Sequence, residues 1–115
     1  MKYLDKALCA LLFLGATLHV FGTLTSYAAF TEVWVWSLGS SLAAGLIAVL
    51  NWLRPARARD RVLIAVIVVA SLLWVAVDLG FGVAIGNVAD ARVIWHAVCG
   101  LGLAGFGIAA LRKGR

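Results

Sequence analysis

The sequence predicts an all-α membrane protein: four transmembrane helices in a compact antiparallel bundle, one domain over residues 1–115, with both termini cytoplasmic. Three observations lead there. Hydrophobic residues make up 64% of the chain and charged residues 13%, with mean hydropathy +1.05, a balance no small soluble domain can bury. Four apolar stretches, at about 7–28, 33–53, 62–86 and 91–111, match the roughly 20 helical residues that cross a hydrocarbon core of ~30 Å. Basic residues gather at the chain ends and in the middle connection, the pattern that orients helical membrane proteins.

The stretch at 7–28 follows Lys2 and Lys6 and ends in Ser26-Tyr27-Ala28, features shared with a secretory signal. Its apolar run outlasts the about 7–15 residues of a signal core, so an uncut helix is expected. Gly15, His19, Gly22, Thr23 and Ser26 recur along it at steps of three and four, a small and polar stripe that should meet protein rather than lipid. The stretch at 33–53 carries a similar stripe in Ser37, Ser40, Ser41, Ala44, Gly45 and Ala48. Trp34 and Trp36, with Trp95 from the fourth stretch, are placed at the outer interface as an aromatic belt, and Trp52 at the inner one.

The connection that follows holds Arg54, Arg57, Arg59 and Arg61. With Lys2, Lys6, Arg112, Lys113 and Arg115 these put nine of the ten basic residues on the face of the termini, leaving Arg92 alone opposite. That face is read as cytoplasmic and the membrane as the inner one. The net charge of +5 is then a topology signal, met by the anionic headgroups of the lipid bilayer. Nucleic acid is excluded as a partner, because no aromatic or polar readout groups accompany the arginines.

The third stretch, 62–86, opens on nine consecutive apolar residues from Val62 to Ala70, whereas strands of membrane barrels alternate. Its β-branched richness is overridden in lipid, where every backbone N–H needs an internal partner. Ser71, Trp74, Asp78, Gly82 and Ile85 form its stripe, and Gly82 with Gly86 makes a GxxxG pair for close helix approach. The fourth stretch, 91–111, offers Arg92, His96, Cys99, Gly100 and Leu103. Its glycines from Gly100 to Gly107 leave more small surface than one monomer uses, which points to a homo-oligomer or a larger membrane complex. A shift of 59 residues lays Trp36 on Trp95 and His19 on Asp78, so two repeated helical hairpins are a further expectation. Cys9 and Cys99 should lie at different depths, unbridged, as small packing residues.

Chemistry narrows to three ionisable residues inside the spans: His19, Asp78 and His96. Counted from the outer ends at 1.5 Å per residue, His96 falls roughly 7 Å deep and the other two roughly 12 to 14 Å deep. A carboxylate in hydrocarbon costs at least ~2.5 kcal/mol, so Asp78 must be protonated, paired or facing water. Histidine titrates near neutrality, and the group as a whole responds to pH. Thr23, Ser37 and Ser41 can supply hydroxyls at similar depth, Arg92 can cap the mouth, and Trp74, one turn from Asp78, can line the site.

This points to a transport or proton-relay component with its site at His19, Asp78, His96, Thr23, Ser41, Arg92 and Trp74. Two other readings stand beside it. His19 and His96 can ligate a haem iron, with Gly15, Gly22, Gly100 and Gly102 leaving room for the macrocycle. Alternatively the chain is a non-catalytic accessory subunit whose polar residues only set helix packing. Zinc is compatible with the ligand types but draws no support from spacing, since each ligand comes from a separate helix. No local signature of an enzyme occurs, and no catalytic residue is assigned.

Overall fold

The computed structural model describes residues 2–113. Helices α1 (Lys2–Ser26), α2 (Glu32–Leu53), α3 (Arg61–Ala84) and α4 (Ala91–Lys113) form an antiparallel bundle, with a short 3-10 turn at Arg54–Arg57 between α2 and α3. The helices run 22 to 25 residues, or roughly 33–38 Å at 1.5 Å per residue. They are long and apolar enough to cross a membrane, as expected. Helix α1 begins at Lys2 rather than residue 7, because hydropathy marks only the part suited to lipid while the polar turn around Asp5 and Lys6 stays helical. The Arg115 of the topology argument lies outside the described residues.

Solvation is inside out relative to a soluble bundle. Leu18, Phe21, Leu42, Leu46, Leu73 and Leu101 are exposed, while Thr23, Ser41, Asn51, Arg54, Ser71, Asp78 and His96 are buried. Apolar side chains thus face outward and polar ones inward, the construction of a multi-pass membrane protein. The helices contact one another in a ring, α1 with α2, α2 with α3, α3 with α4 and α4 with α1, and the α2–α3 seam is the narrowest.

Glycine permits the close seams. A Cβ at Gly100 would fall 2.6 Å from Val75 Cγ2, one at Gly102 2.5 Å from Leu8 Cδ1, and one at Gly107 2.5 Å from Val68 Cγ2. The expected Gly82–Gly86 pair works differently. Gly82 receives Val88 and Val93 of its own hairpin, but Gly86 has left the helix at φ 70°. There it closes α3: the Gly86 N–H donates to Val83 O at 3.0 Å and the Asn87 N–H to Gly82 O at 2.9 Å, the double bond of a Schellman cap. Asp60 starts α3 by accepting from the Leu63 N–H at 2.9 Å.

The termini end is tied by a buried polar cluster. Arg54 is 3% exposed. Its Nη2 donates to Asp5 Oδ1 on α1 at 2.6 Å, and its Nη1 to Leu103 O on α4 at 3.0 Å and Asn51 Oδ1 on α2 at 3.2 Å. Asn51 Nδ2 in turn donates to Ser71 Oγ on α3 at 3.1 Å. Three helices therefore meet on one guanidinium and Asn51 links it to the fourth, and the absence of a side chain at Gly107 makes room for it. This corrects the reading of Arg54 as one more headgroup-facing base. Cys9 and Cys99 are both free and buried, and both belong to one apolar cluster with Leu12, Ala48 and Leu103. They share a level rather than lying at different depths, because α4 meets α1 in the register that sets Leu8 against Gly102.

Candidate functional site

At the end opposite the termini the stripes of small residues enclose a cavity of about 400 Å³. Each polar residue singled out for the site lines it: His19 and Thr23 from α1, Ser41 from α2, Trp74 and Asp78 from α3, Arg92 and His96 from α4. The four-residue steps from Trp74 to Asp78 and from Arg92 to His96 stack each pair on one helix face, which is why sequence spacing alone groups them. Ser37 does not join the lining; its carbonyl accepts from Ser41 Oγ at 3.1 Å, and Ser40 is on the wall instead.

His19 Nδ1 lies 2.8 Å from Ser41 Oγ. A hydroxyl has one proton, so when Ser41 spends it on the Ser37 carbonyl, His19 must carry its hydrogen on Nδ1 and present Nε2 as an acceptor. Thr23 lines the cavity but donates its hydroxyl proton to the His19 carbonyl at 2.8 Å, which anchors the α1 backbone rather than the imidazole.

His96 packs where Gly15 leaves space, since a Cβ there would come 2.9 Å from both His96 Nε2 and Trp95 Nε1. Gly15 lies one turn before His19, and helical side chains lean back toward the preceding turn. The two imidazoles therefore come to nearly the same level, and the expected depth mismatch closes. The edge of His96 meets Trp74, with ring centroids 5.5 Å apart. Trp95 is not part of an interfacial belt: its indole N–H donates to Leu11 O, near the middle of α1, at 2.9 Å. Trp36 is exposed, and Trp52 carries Lys6 over its ring at 4.7 Å.

The residues that line the cavity include three with orphaned polar atoms. Trp74 Nε1, Asp78 Oδ2 and His96 Nδ1 are buried with no hydrogen-bond partner among the described residues. At the mouth, Arg92 lies 5.2 Å over the Phe81 ring, and its Nε and Nη2 donate to the two Asp90 carboxylate oxygens at 2.9 and 3.0 Å. These bonds, with one from the Arg92 backbone N–H, lower the Asp90 carboxyl to about 2.

No family model, curated protein or solved structure matches the chain. Its chemistry rests on the cavity itself. Among the described residues no three His, Cys, Asp or Glu side chains gather as metal ligands. Of the glycines expected to make room for a macrocycle, Gly15, Gly100 and Gly102 are filled by neighbouring side chains, and Gly22 alone keeps open space before it. Tyr27 and Phe81 add to the lining without having been singled out from the sequence as site residues. Tyr27 lies past the end of α1, where helical periodicity gives no direction; Phe81 falls three residues beyond Asp78, a helical spacing by which it could have been found.

Proposed function

We infer that this is a small polytopic inner-membrane protein, termini cytoplasmic, that serves as a transport or proton-relay component through His19, Asp78 and His96. The observation that carries the reading is Asp78: a buried carboxyl lining an open cavity, with an oxygen that no donor among the described residues meets. A residue kept only for helix packing is expected to find a partner, whereas a group that takes up and releases protons or ligand needs a vacant coordination position. His19 and His96 beside it give the proton alternative carriers. The packed core of Leu12, Ile64, Ile67 and Leu103, with the Arg54 cluster beyond it, closes the termini end, so the cavity is a cup loaded from one side. Thr23 and Ser41 hold the His19 segment, Arg92 flanks the entrance, and Trp74 adds to the lining.

Reconstitution into liposomes tests this. Proton or coupled solute flux is expected from the unaltered protein and is lost in Asp78→Asn; flux that is absent, or indifferent to Asp78→Asn, overturns it. The accessory-subunit reading draws on Gly80 and Gly105, which are exposed on the bundle with open space in front of them and suit close approach by a second copy or another membrane protein. Under it, Asp78→Asn leaves the activity of the assembled complex unchanged.

A further inference from the structure

We propose that the cavity binds a small protonated amine, whose ammonium pairs with the Asp78 carboxylate. The proposal rests on the transport reading and names its cargo.

Trp74, Asp78 and His96 are 8%, 7% and 9% exposed; all three line the cavity, and each carries a buried polar atom with no hydrogen-bond partner among the described residues. A buried carboxylate without a partner is costly to keep, so the lining is complementary to a molecule that brings a charged donor. Charge selects the donor. The titratable and charged groups on the wall are His19 and Tyr27 from α1 and its end, Asp78 from α3, and Arg92 and His96 from α4, while α2 contributes hydroxyls but no charge. Arg92 is matched by both oxygens of Asp90. Ionised Asp78 is left as a single negative charge without a basic partner, and one monocation balances it.

The walls select the kind of cation. Phe81, Trp95, Tyr27 and Trp74 line the space, and aromatic faces attract organic cations. The lack of a three-ligand cluster among the described residues disfavours a metal ion. A volume of about 400 Å³ is that of a site for a small molecule. Amine and proton then compete for one carboxylate. When Asp78 is protonated, its oxygen is held by an O–H bond and its charge is gone; when that proton leaves to cavity water, the ammonium N–H takes its place. Uptake of one is release of the other.

Phenylethanolamine is the probe, titrated calorimetrically into the full chain in mild detergent, with phenylethanol as the analogue lacking the ammonium. One saturable site is expected for the amine and none for the alcohol, with affinity falling in acid. Asp78→Asn should weaken binding by about tenfold or more, the size of a lost charged hydrogen bond. Gly22→Leu provides a second route, because a Cβ there meets nothing within 4 Å and the added side chain fills the cavity without disturbing the packing. It should abolish binding at unchanged thermal stability. Absence of saturable binding, equal affinity for phenylethanol, or binding indifferent to both substitutions overturns the proposal. Asp78-dependent proton flux without amine binding also overturns it while sparing the transport reading, whereas amine binding without flux sustains the site and removes that reading.

Discussion

Arg54 shows how much one side chain can organise in a bundle whose other contacts are mostly dispersion. It is buried, yet it meets Asp5, Asn51 and the Leu103 carbonyl, so its charge is balanced by Asp5 and three of its N–H groups are bonded. Arg54→Ala leaves Asp5 and Asn51 facing a void and should cost about 3–5 kcal/mol, measured by unfolding in mixed micelles. Adding Asp5→Asn to that variant should recover part of the loss, the coupling expected of a direct pair. Asp90 behaves differently because it sits half-buried in the α3–α4 connection. Bonds from Arg92 lower its carboxyl to about 2, so the ion pair is complete above the ordinary carboxylate range of about 3.9 and disappears only as pH falls through about 2. A carboxyl NMR titration should find Asp90 still ionised below the ordinary carboxylate range of about 3.9.

At the scale of the helices, glycines divide by what stands in front of them. Gly100 has Val75 Cγ2 2.6 Å from its absent Cβ, whereas Gly105 has nothing within 4 Å. Gly100→Ala should therefore force α3 and α4 apart at about 1–3 kcal/mol. Gly105→Ala should be neutral or stabilising by up to about 1 kcal/mol from helix propensity. Unfolding of the two variants side by side measures the contrast. The helices themselves were legible in the sequence because lipid demands long apolar runs, and their inward faces because small and polar residues recur at helical steps. The Gly82–Gly86 pair was misread for a physical reason: spacing describes a helix surface only while the chain is helical, and Gly86 lies just past the C-cap at φ 70°. Trp95 was misread because indole at a span end resembles a belt residue until its partner, the Leu11 carbonyl, is known.

At the scale of the whole molecule, the candidate site was more legible than the clamp. His19, Asp78 and His96 stand out as ionisable residues in apolar sequence, and the bundle brings all three to one cavity. Arg54 was hidden among four arginines of one connection, and the one cue was Asp5, an acid set between Lys2 and Lys6 at a basic end. The arrangement has a polar cup at one end and a charged tie at the other, and its topology can be checked directly. A cysteine at Asn87 should react with an impermeant reagent from the side opposite to one at Arg59; labelling of both from one side contradicts the antiparallel crossing.

The measurement closest to the central claim is the infrared difference spectrum of the protein in lipid, recorded as pH is stepped and compared with Asp78→Asn. If Asp78 exchanges protons with the cavity, a carboxylic C=O band rises and falls reversibly with pH, shifts in heavy water, and vanishes in the variant. A spectrum in which Asp78→Asn removes no pH-dependent band would show a carboxyl sealed in one state, and the cavity would then be a packing defect rather than a working site.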